Sequence, residues 1–372
     1  MSFRRRRSAQ RWIVPLLAIV IGAAMLLALV RRGSIPPGNA TGNEGGDNTP
    51  AHSVAQQGVT PSIRLPLLST PTPEPPKSTP TVTPTSTITP TPTPSGPLRT
   101  GDEPVPQLGS QAVMLMDADS GAILYQYNAH DRREPASVTK IMTAIIAIER
   151  GDVHAVVKAD YDPTPLTDQD SSMMWIDPGE TVTLEDLLYG LMLPSGNDAA
   201  VLIAKHIAGS ERAFVNLMNQ KAQGLGMRDT HFENPHGLHA ENHYTSAYDL
   251  AVLARYAMRN PTFRQIVAAG AWDVHADDRT WTVYNLNRLI RIYPDADGIK
   301  IGYNDQAGKT IVASVDHNGH HVYAVLLGSW NLWADTPALY DWAFRNYSWK
   351  ATDAERGADL TLAPSGAGTP TP

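Results

Sequence analysis

Cysteine is absent from the 372 residues. That excludes disulfides, thiolate metal ligands and a cysteine nucleophile, but not a location outside the cytoplasm. The Gly-x-Ser-x-Gly turn that presents the serine of many Ser-His-Asp esterases is missing too, which argues against that class. Acidic residues are absent from residues 1–32, which hold seven Arg. The remainder therefore carries 23 basic side chains against 37 acidic ones. A body that acidic does not suit general binding of nucleic acid, whose phosphates demand positive charge. No internal repeat is present.

What is there begins with a membrane signal. Arg4 to Arg7 and Arg11 precede the uncharged run Trp12–Val30, and Arg31 and Arg32 follow it. Nineteen mostly apolar residues suffice to cross a bilayer. The Arg excess on the N-terminal side places that end in the cytoplasm and the body outside. No small-x-small cleavage site follows the run, so residues 1–32 read as a basic tail and membrane anchor; a cleaved signal peptide is the alternative. Residues 33–104 are rich in Pro, Thr, Ser and Gly, nearly a Thr-Pro repeat from Ser69 to Pro97. Such a composition buries no core and reads as an extended, disordered spacer. A polyproline stretch of about 30 residues would reach roughly 90 Å.

The folded domain is expected over 105–350, with a disordered tail at 351–372. Ala112–Met116 and Ala122–Tyr127 are strand-like, are joined across the turn cluster Asp117–Gly121, and predict a hairpin. Pro135 and Ser137 are helix-start signals, Gly151 a stop, and residues 138, 141, 142, 145 and 146 form one apolar stripe. Residues 151–180 are mixed, with Pro163, Pro165 and Pro178-Gly179 marking loops. Thr183 with Asp186 resembles a capping box for a helix Leu184–Leu193. Further helices are predicted at Asp198–Ala208, Glu211–Gly224, Ser246–Met258 and Pro261–Ala269. Thr280–Tyr284 and Gly298–Ile301 are short strand candidates. Thr310–Val315 and His321–Gly328 flank His317-Asn-Gly-His320, the strongest hairpin signal, and Trp333–Asn346 is an amphipathic helix. Strands at both ends of a helical middle predict an α+β fold, an antiparallel sheet flanked by helices with a helical subregion.

Three short patterns carry chemistry. Ser137-Val-Thr-Lys140 places a hydroxyl and an amine one helical turn apart, a nucleophile beside a possible base. Alone it reads equally as an N-cap serine with an unrelated lysine. Ser195-Gly-Asn197 falls in the break after Leu193-Pro194, and Lys300-Ile-Gly302 on a strand candidate. His236, His239 and His243 have a spacing that admits metal, although structural loop roles fit them as well, and no metal or other cofactor is expected. The tryptophans Trp330, Trp333, Trp342 and Trp349 suit core or sheet cover.

In this order the patterns resemble the serine penicillin-recognising enzymes, with their Ser-x-x-Lys, Ser-x-Asn and Lys-Thr-Gly elements. The closer resemblance, over roughly 105–346, is to the D-alanyl-D-alanine carboxypeptidases of the low-molecular-weight penicillin-binding class, peptidase family S11. It rests on Glu134-Pro-Ala-Ser-Val-Thr-Lys-Ile-Met-Thr-Ala144, Gly190-Leu-Met-Leu-Pro-Ser-Gly-Asn-Asp-Ala-Ala200, Asn234-Pro-His-Gly-Leu238, His243-Tyr-Thr-Ser246 and Asp297-Gly-Ile-Lys-Ile-Gly-Tyr303. It implies a β-lactamase/transpeptidase-like fold and a cell-wall-side enzyme that removes the terminal D-alanine of peptidoglycan stem peptides. β-Lactams would act as inhibitors.

The resemblance also implies roles. Ser137 is the acyl-ester nucleophile, Lys140 its general base and Ser195 a proton relay. Asn197, Lys300, Gly302 and Tyr303 bind substrate, with the backbone N–H groups of Ser137 and Tyr303 as the oxyanion hole. One residue departs from the pattern: Ile301 stands where the family carries Thr, and isoleucine cannot donate a hydrogen bond to a substrate carboxylate. The same fold admits a β-lactamase or wall endopeptidase, for which Glu180 and Glu185 are candidate bases by position. A catalytically weak peptidoglycan-binding protein is the remaining alternative.

Overall fold

The computed structural model describes residues 96–167 and 171–349. The expected membrane segment, nearly all of the spacer and the tail at 351–372 lie outside these residues. Among the described residues no helix is long and apolar enough to cross a membrane.

In chain order the elements are β1 (Leu98–Arg99), β2 (Ala112–Asp117), β3 (Ile123–Tyr127), a 3-10 turn Ala136–Thr139, α1 (Lys140–Arg150), β4 (Val156–Lys158) and β5 (Thr181–Thr183). There follow α2 (Leu184–Met192), α3 (Asn197–Ala208), α4 (Glu211–Gly224), α5 (Ala247–Ala257), α6 (Pro261–Ala268), β6 (Ala271–Ala276) and β7 (Arg279–Tyr284). Last come β8 (Ala296–Asn304), β9 (Gly308–His317), β10 (His320–Ser329), α7 (Leu332–Asn346) and β11 (Tyr347–Ser348), with single helical turns at Thr164–Thr167 and Leu289–Ile292.

The main sheet has the order β3-β2-β10-β9-β8, every pair antiparallel. The early hairpin β2–β3 thus meets the late strands, β2 lying beside β10 with Leu327 opposite Ala112. The central strands are buried on both faces, which is why they read as continuous apolar runs and not as a polar alternation. Met114, Val312 and Val325 join the core on the α1 side, whereas Leu115, Ile311 and Leu326 join the core under α7. The period of two along each strand divides the two cores.

α1 is the hub of the first core. It packs against α2 to α6 and β8, and residues 140–147 are all buried. The sequence showed one apolar stripe; Thr143 and the alanines fill the remaining faces because the helix is enclosed on all sides. The capping box forms as expected, with Asp186 N–H donating to Thr183 Oγ1 at 3.0 Å. The turn at Asn318-Gly319 has positive φ at both residues, as the two-residue hairpin requires.

Several features were not foreseen, among them the antiparallel pair β4–β5 within and beside a stretch read as mixed loop. β6 and β7 form a hairpin of which only the second strand was expected. Its Trp272 ring stacks on Tyr189 at 3.8 Å and its Nε1 donates to Asp186. The ordered chain also starts before Val105. β1 pairs with β11, and Trp342 Nε1 donates to Glu103 O at 2.9 Å, so the end of α7 captures a segment whose composition resembles the spacer. Trp342 is 1% exposed and meets Tyr125 and Tyr347 edge-on. Trp342→Ala is expected to destabilise the domain by about 3–5 kcal/mol, read as a lower urea midpoint at unchanged slope.

Candidate active site

Ser137 sits in the 3-10 turn and makes no capping bond, so the N-cap reading of this serine is not what forms. Lys140 opens α1 and is completely buried. Its Nζ donates to Ser137 Oγ at 3.2 Å, to Asn197 Oδ1 at 2.6 Å and to His236 O at 2.6 Å. Three donors meet three acceptors, which fixes the amine against the serine. Burial pulls the Lys140 pKa well below the usual lysine range. The charge of Lys300 pushes it further down, and Asp198 opposes both. Lys300, 1% exposed, is itself lowered to about 7 by burial, and its Nζ donates to Ile301 O at 3.1 Å.

The loop 234–243 clamps the start of α1. Asn234 Oδ1 accepts from Gly237 N–H at 2.7 Å, shaping the turn that presents His236 O to Lys140. Gly237 has φ +91, and a Cβ there would lie 2.0 Å from Ala136 O, so only glycine fits. Thr143 Oγ1 donates to Pro235 O. His243 Nδ1 accepts from Glu233 N–H, which leaves the proton of the neutral ring on Nε2, bonded to Thr139 Oγ1 at 2.9 Å. Both His236 and His243 are pushed down to about 3, chiefly by burial. His236 Nδ1 likewise accepts from Leu238 N–H, and His239 pairs with Glu134. These histidines hold a loop, and among the described residues no cluster of three or more His, Asp or Glu is placed to hold a metal.

Ser195 and Asn197 are fixed from behind by Asp198. Its fully buried carboxylate accepts from the N–H groups of Met174, Trp175 and Ala199 at 2.9 Å each. Asn197 N–H donates to Ser172 O at 2.8 Å. Ser195 takes φ +69, and its Oγ is buried with no partner among the described residues. An unpaired buried hydroxyl is costly and marks a group held for something else.

β8 closes the site. A Cβ on Gly302 would come within 2.7 Å of Ser137 N, so strand and turn touch there through backbone alone. Thr310 Oγ1 donates to Pro135 O at 3.1 Å and braces the same turn. A cleft of about 260 Å³ opens above these groups. Ser137, Ser195, Gly302 and Tyr303 line it, whereas Lys140, Asn197 and Lys300 lie buried beneath. The structure thus brings together all seven residues singled out in the sequence. It adds Leu286, Leu332 and Trp333, which with Ile301 form an apolar wall, and Lys309 at the edge. No motif marks the added residues; only β9 pairing Lys309 with Tyr303 brings that cation to the cleft. Glu180 is engaged by Arg279 at 2.9 and 2.6 Å, and neither it nor Glu185 lines the cleft. The four tryptophans divide: Trp342 is core, Trp333 is cleft wall, Trp330 is 81% exposed, and half-buried Trp349 donates from Nε1 to Asp117 Oδ1 at 2.8 Å.

Residues 99–331 match the D-alanyl-D-alanine carboxypeptidase family, peptidase S11. The chain belongs to this family. It is 35% identical over 252 residues to the D-alanyl-D-alanine carboxypeptidase DacF of Bacillus subtilis, covering 64% of this chain and 63% of that one. It is 33% identical to DacB2 of Mycobacterium tuberculosis, covering 66% of this chain and 85% of that one. The match therefore spans less than two thirds of DacF but most of DacB2. The crystal structure of the Streptomyces K15 DD-transpeptidase superposes with a TM-score of 0.62 at 28% identity, over 65% of this chain and all of that chain. The α+β fold is that of the penicillin-binding DD-transpeptidases.

Removing the Asp198 carboxylate strands several buried N–H groups behind the Ser-Gly-Asn turn. Asp198→Ala is expected to lose about 3 kcal/mol or more of stability, measured by denaturant unfolding, whereas Asp198→Asn, which keeps one acceptor, loses less.

Proposed function

We propose that this chain is a serine-type D-Ala-D-Ala carboxypeptidase that shortens peptidoglycan stem peptides through an acyl-enzyme on Ser137. The observation that carries this reading is the buried Lys140 amine bonded to Ser137 Oγ at 3.2 Å. Burial and Lys300 favour its neutral form, and a neutral amine can take the proton that the serine must lose.

In the proposed reaction Ser137 Oγ attacks the carbonyl carbon between the two D-alanines while its proton passes to Lys140. The carbonyl oxygen, now negative, is held by the backbone N–H groups of Ser137 and Tyr303; the close approach of Gly302 to Ser137 N supports this reading. The C–N bond breaks as the departing nitrogen takes a proton through Ser195, whose Oγ has no partner among the described residues. Asn197 Oδ1 is occupied by Lys140, which leaves its amide N–H groups for a substrate carbonyl. Water then hydrolyses the ester, giving the shortened peptide and free Ser137.

The C-terminal carboxylate is held without the usual hydroxyl. Ile301 offers none, and the buried Thr310 hydroxyl is committed to Pro135 O. Positive charge remains, from Lys300 below and from Lys309 at the rim, where Nζ spends one N–H on Trp330 O at 3.3 Å. We place the domain on the outer side of the cell membrane, held by the Trp12–Val30 segment; the Arg asymmetry and the Pro-Thr-rich spacer support this.

Three outcomes test the reading. Wild-type protein should release D-alanine from a pentapeptide and form a stable adduct with a fluorescent penicillin; equal labelling of Ser137→Ala, or no labelling of wild type, would sink it. Rapid penicillin turnover without an adduct would favour a β-lactamase instead. Ile301→Thr should lower KM for the pentapeptide roughly tenfold, the equivalent of one charged hydrogen bond. Acylation should also depend on pH in a defined sense. It needs neutral Lys140 and so falls as pH drops through that depressed pKa. Attraction of the carboxylate needs charged Lys300 and weakens as pH rises through about 7. A profile unchanged in Lys300→Gln would count against that role.

A further inference from the structure

At the end of the sheet remote from the cleft, three arginines line one pocket of about 230 Å³. Arg255 lies in the last turn of α5, Arg259 just beyond it, and Arg264 in α6; β10 adds His321 and Tyr323. His321 is the second residue of β10 and Ser329, opposite Lys309, ends it. Eight residues of strand separate the two, roughly 25 Å, so this pocket is distinct from the catalytic one.

The arginines are built in to different degrees. Arg255 Nε and Nη2 each donate at 2.6 Å, to Ala118 O and Asp119 O in the β2–β3 turn. Arg264 Nη1 donates to Met258 O at 2.7 Å, satisfying a carbonyl at the end of α5. These bonds hold both forks in place and leave further N–H groups on each. Arg259 is exposed, and its side chain makes no hydrogen bond among the described residues. His321 Nε2 lies 2.9 Å from Asp297 Oδ2, which raises the affinity of the ring for a proton. Asp119 is the one acid among the lining residues, with Asp297 and Asp316 acting on His321 from beside it; the three guanidinium groups outnumber the lining acid in a body that is otherwise acidic. Like charges converge at such density only at a cost, unless an anion joins them.

We propose that Arg255, Arg259 and Arg264, with His321 and Tyr323, form a binding site for a phosphate group. Guanidinium forks carried by a helix end and by the next helix, with an imidazole and a phenol on a strand, approach from several directions. That arrangement suits a tetrahedral oxyanion better than a planar carboxylate, which a single fork satisfies. The phosphate can be free or belong to a lipid headgroup.

The test uses the full chain. Inorganic phosphate is titrated calorimetrically against wild type, Arg259→Ala and Arg264→Lys, with acetate as the planar control. Saturable phosphate binding, weakened about tenfold or more in Arg259→Ala and partly retained in Arg264→Lys, supports the site. In a second arm, vesicles of phosphatidylglycerol and of phosphatidylcholine are compared. The basic N-terminal segment binds them equally in wild type and variant, so only a loss specific to Arg259→Ala counts. A loss confined to phosphatidylglycerol assigns the phosphate to a headgroup. D-Alanine release and penicillin labelling are expected to stay at wild-type level in Arg259→Ala, because that side chain is exposed and remote from the cleft. Binding that is absent in both arms, insensitive to both substitutions, or matched by acetate overturns the proposal.

Discussion

A lysine buried completely beneath a serine is the constraint on which the rest of this structure turns. An amine removed from water is tolerable only if its N–H groups are matched and its charge can be given up. Lys140 meets both conditions, with three acceptors in place and a second lysine nearby that disfavours its charge. Each acceptor comes from a different part of the chain: the 3-10 turn, the start of α3 and the 234–238 loop. Their backing follows from that need. Asp198 holds the Ser-Gly-Asn turn, Asn234 shapes the loop, and neutral His243 pins Thr139 at the head of α1.

The same economy of space governs the strand side. Gly302 and Gly237 are both places where a Cβ would collide with the turn that carries Ser137. The turn is gripped between strand β8 and the loop, with Thr310 bonding its Pro135 carbonyl. Ser137 therefore has little freedom to move away from Lys140, which is what a nucleophile and base one turn apart require. The departure at Ile301 sits just outside this grip. It alters what the cleft offers a substrate and leaves the Ser–Lys pair untouched.

Much of the architecture follows from local chemistry. The Asn-Gly turn, the Thr183–Asp186 box, the stop at Gly209 and the helix Glu211–Gly224 lie where residue type puts them, since caps and turns depend on groups within a few residues of one another. Elements whose stability comes from distant partners were less legible. β6 pairs with a strand that was expected to stand alone, and Leu98–Arg99 is a strand only because the end of α7 supplies its partner. The apolar stripe of α1 likewise understated its burial, because what encloses a helix is not written in its own sequence.

For the site the division is sharper. The sequence by itself determined the chemistry at hand: which hydroxyl, which amine, which amide, and that no thiol takes part. Spacing puts Ser137 and Lys140 within reach of each other, because residues three apart share a helical face, and the later patterns single the pair out. Only the tertiary structure decided the electrostatics. Burial depends on packing from every direction, so neither the displaced pKa of Lys140 nor that of Lys300 can be read from neighbours in sequence. Nor can the apolar wall of Leu286, Ile301, Leu332 and Trp333, or the cation Lys309 at its edge, since they converge from separate elements. The long-range pairing of an early hairpin with the last strands is what gathers them around one serine.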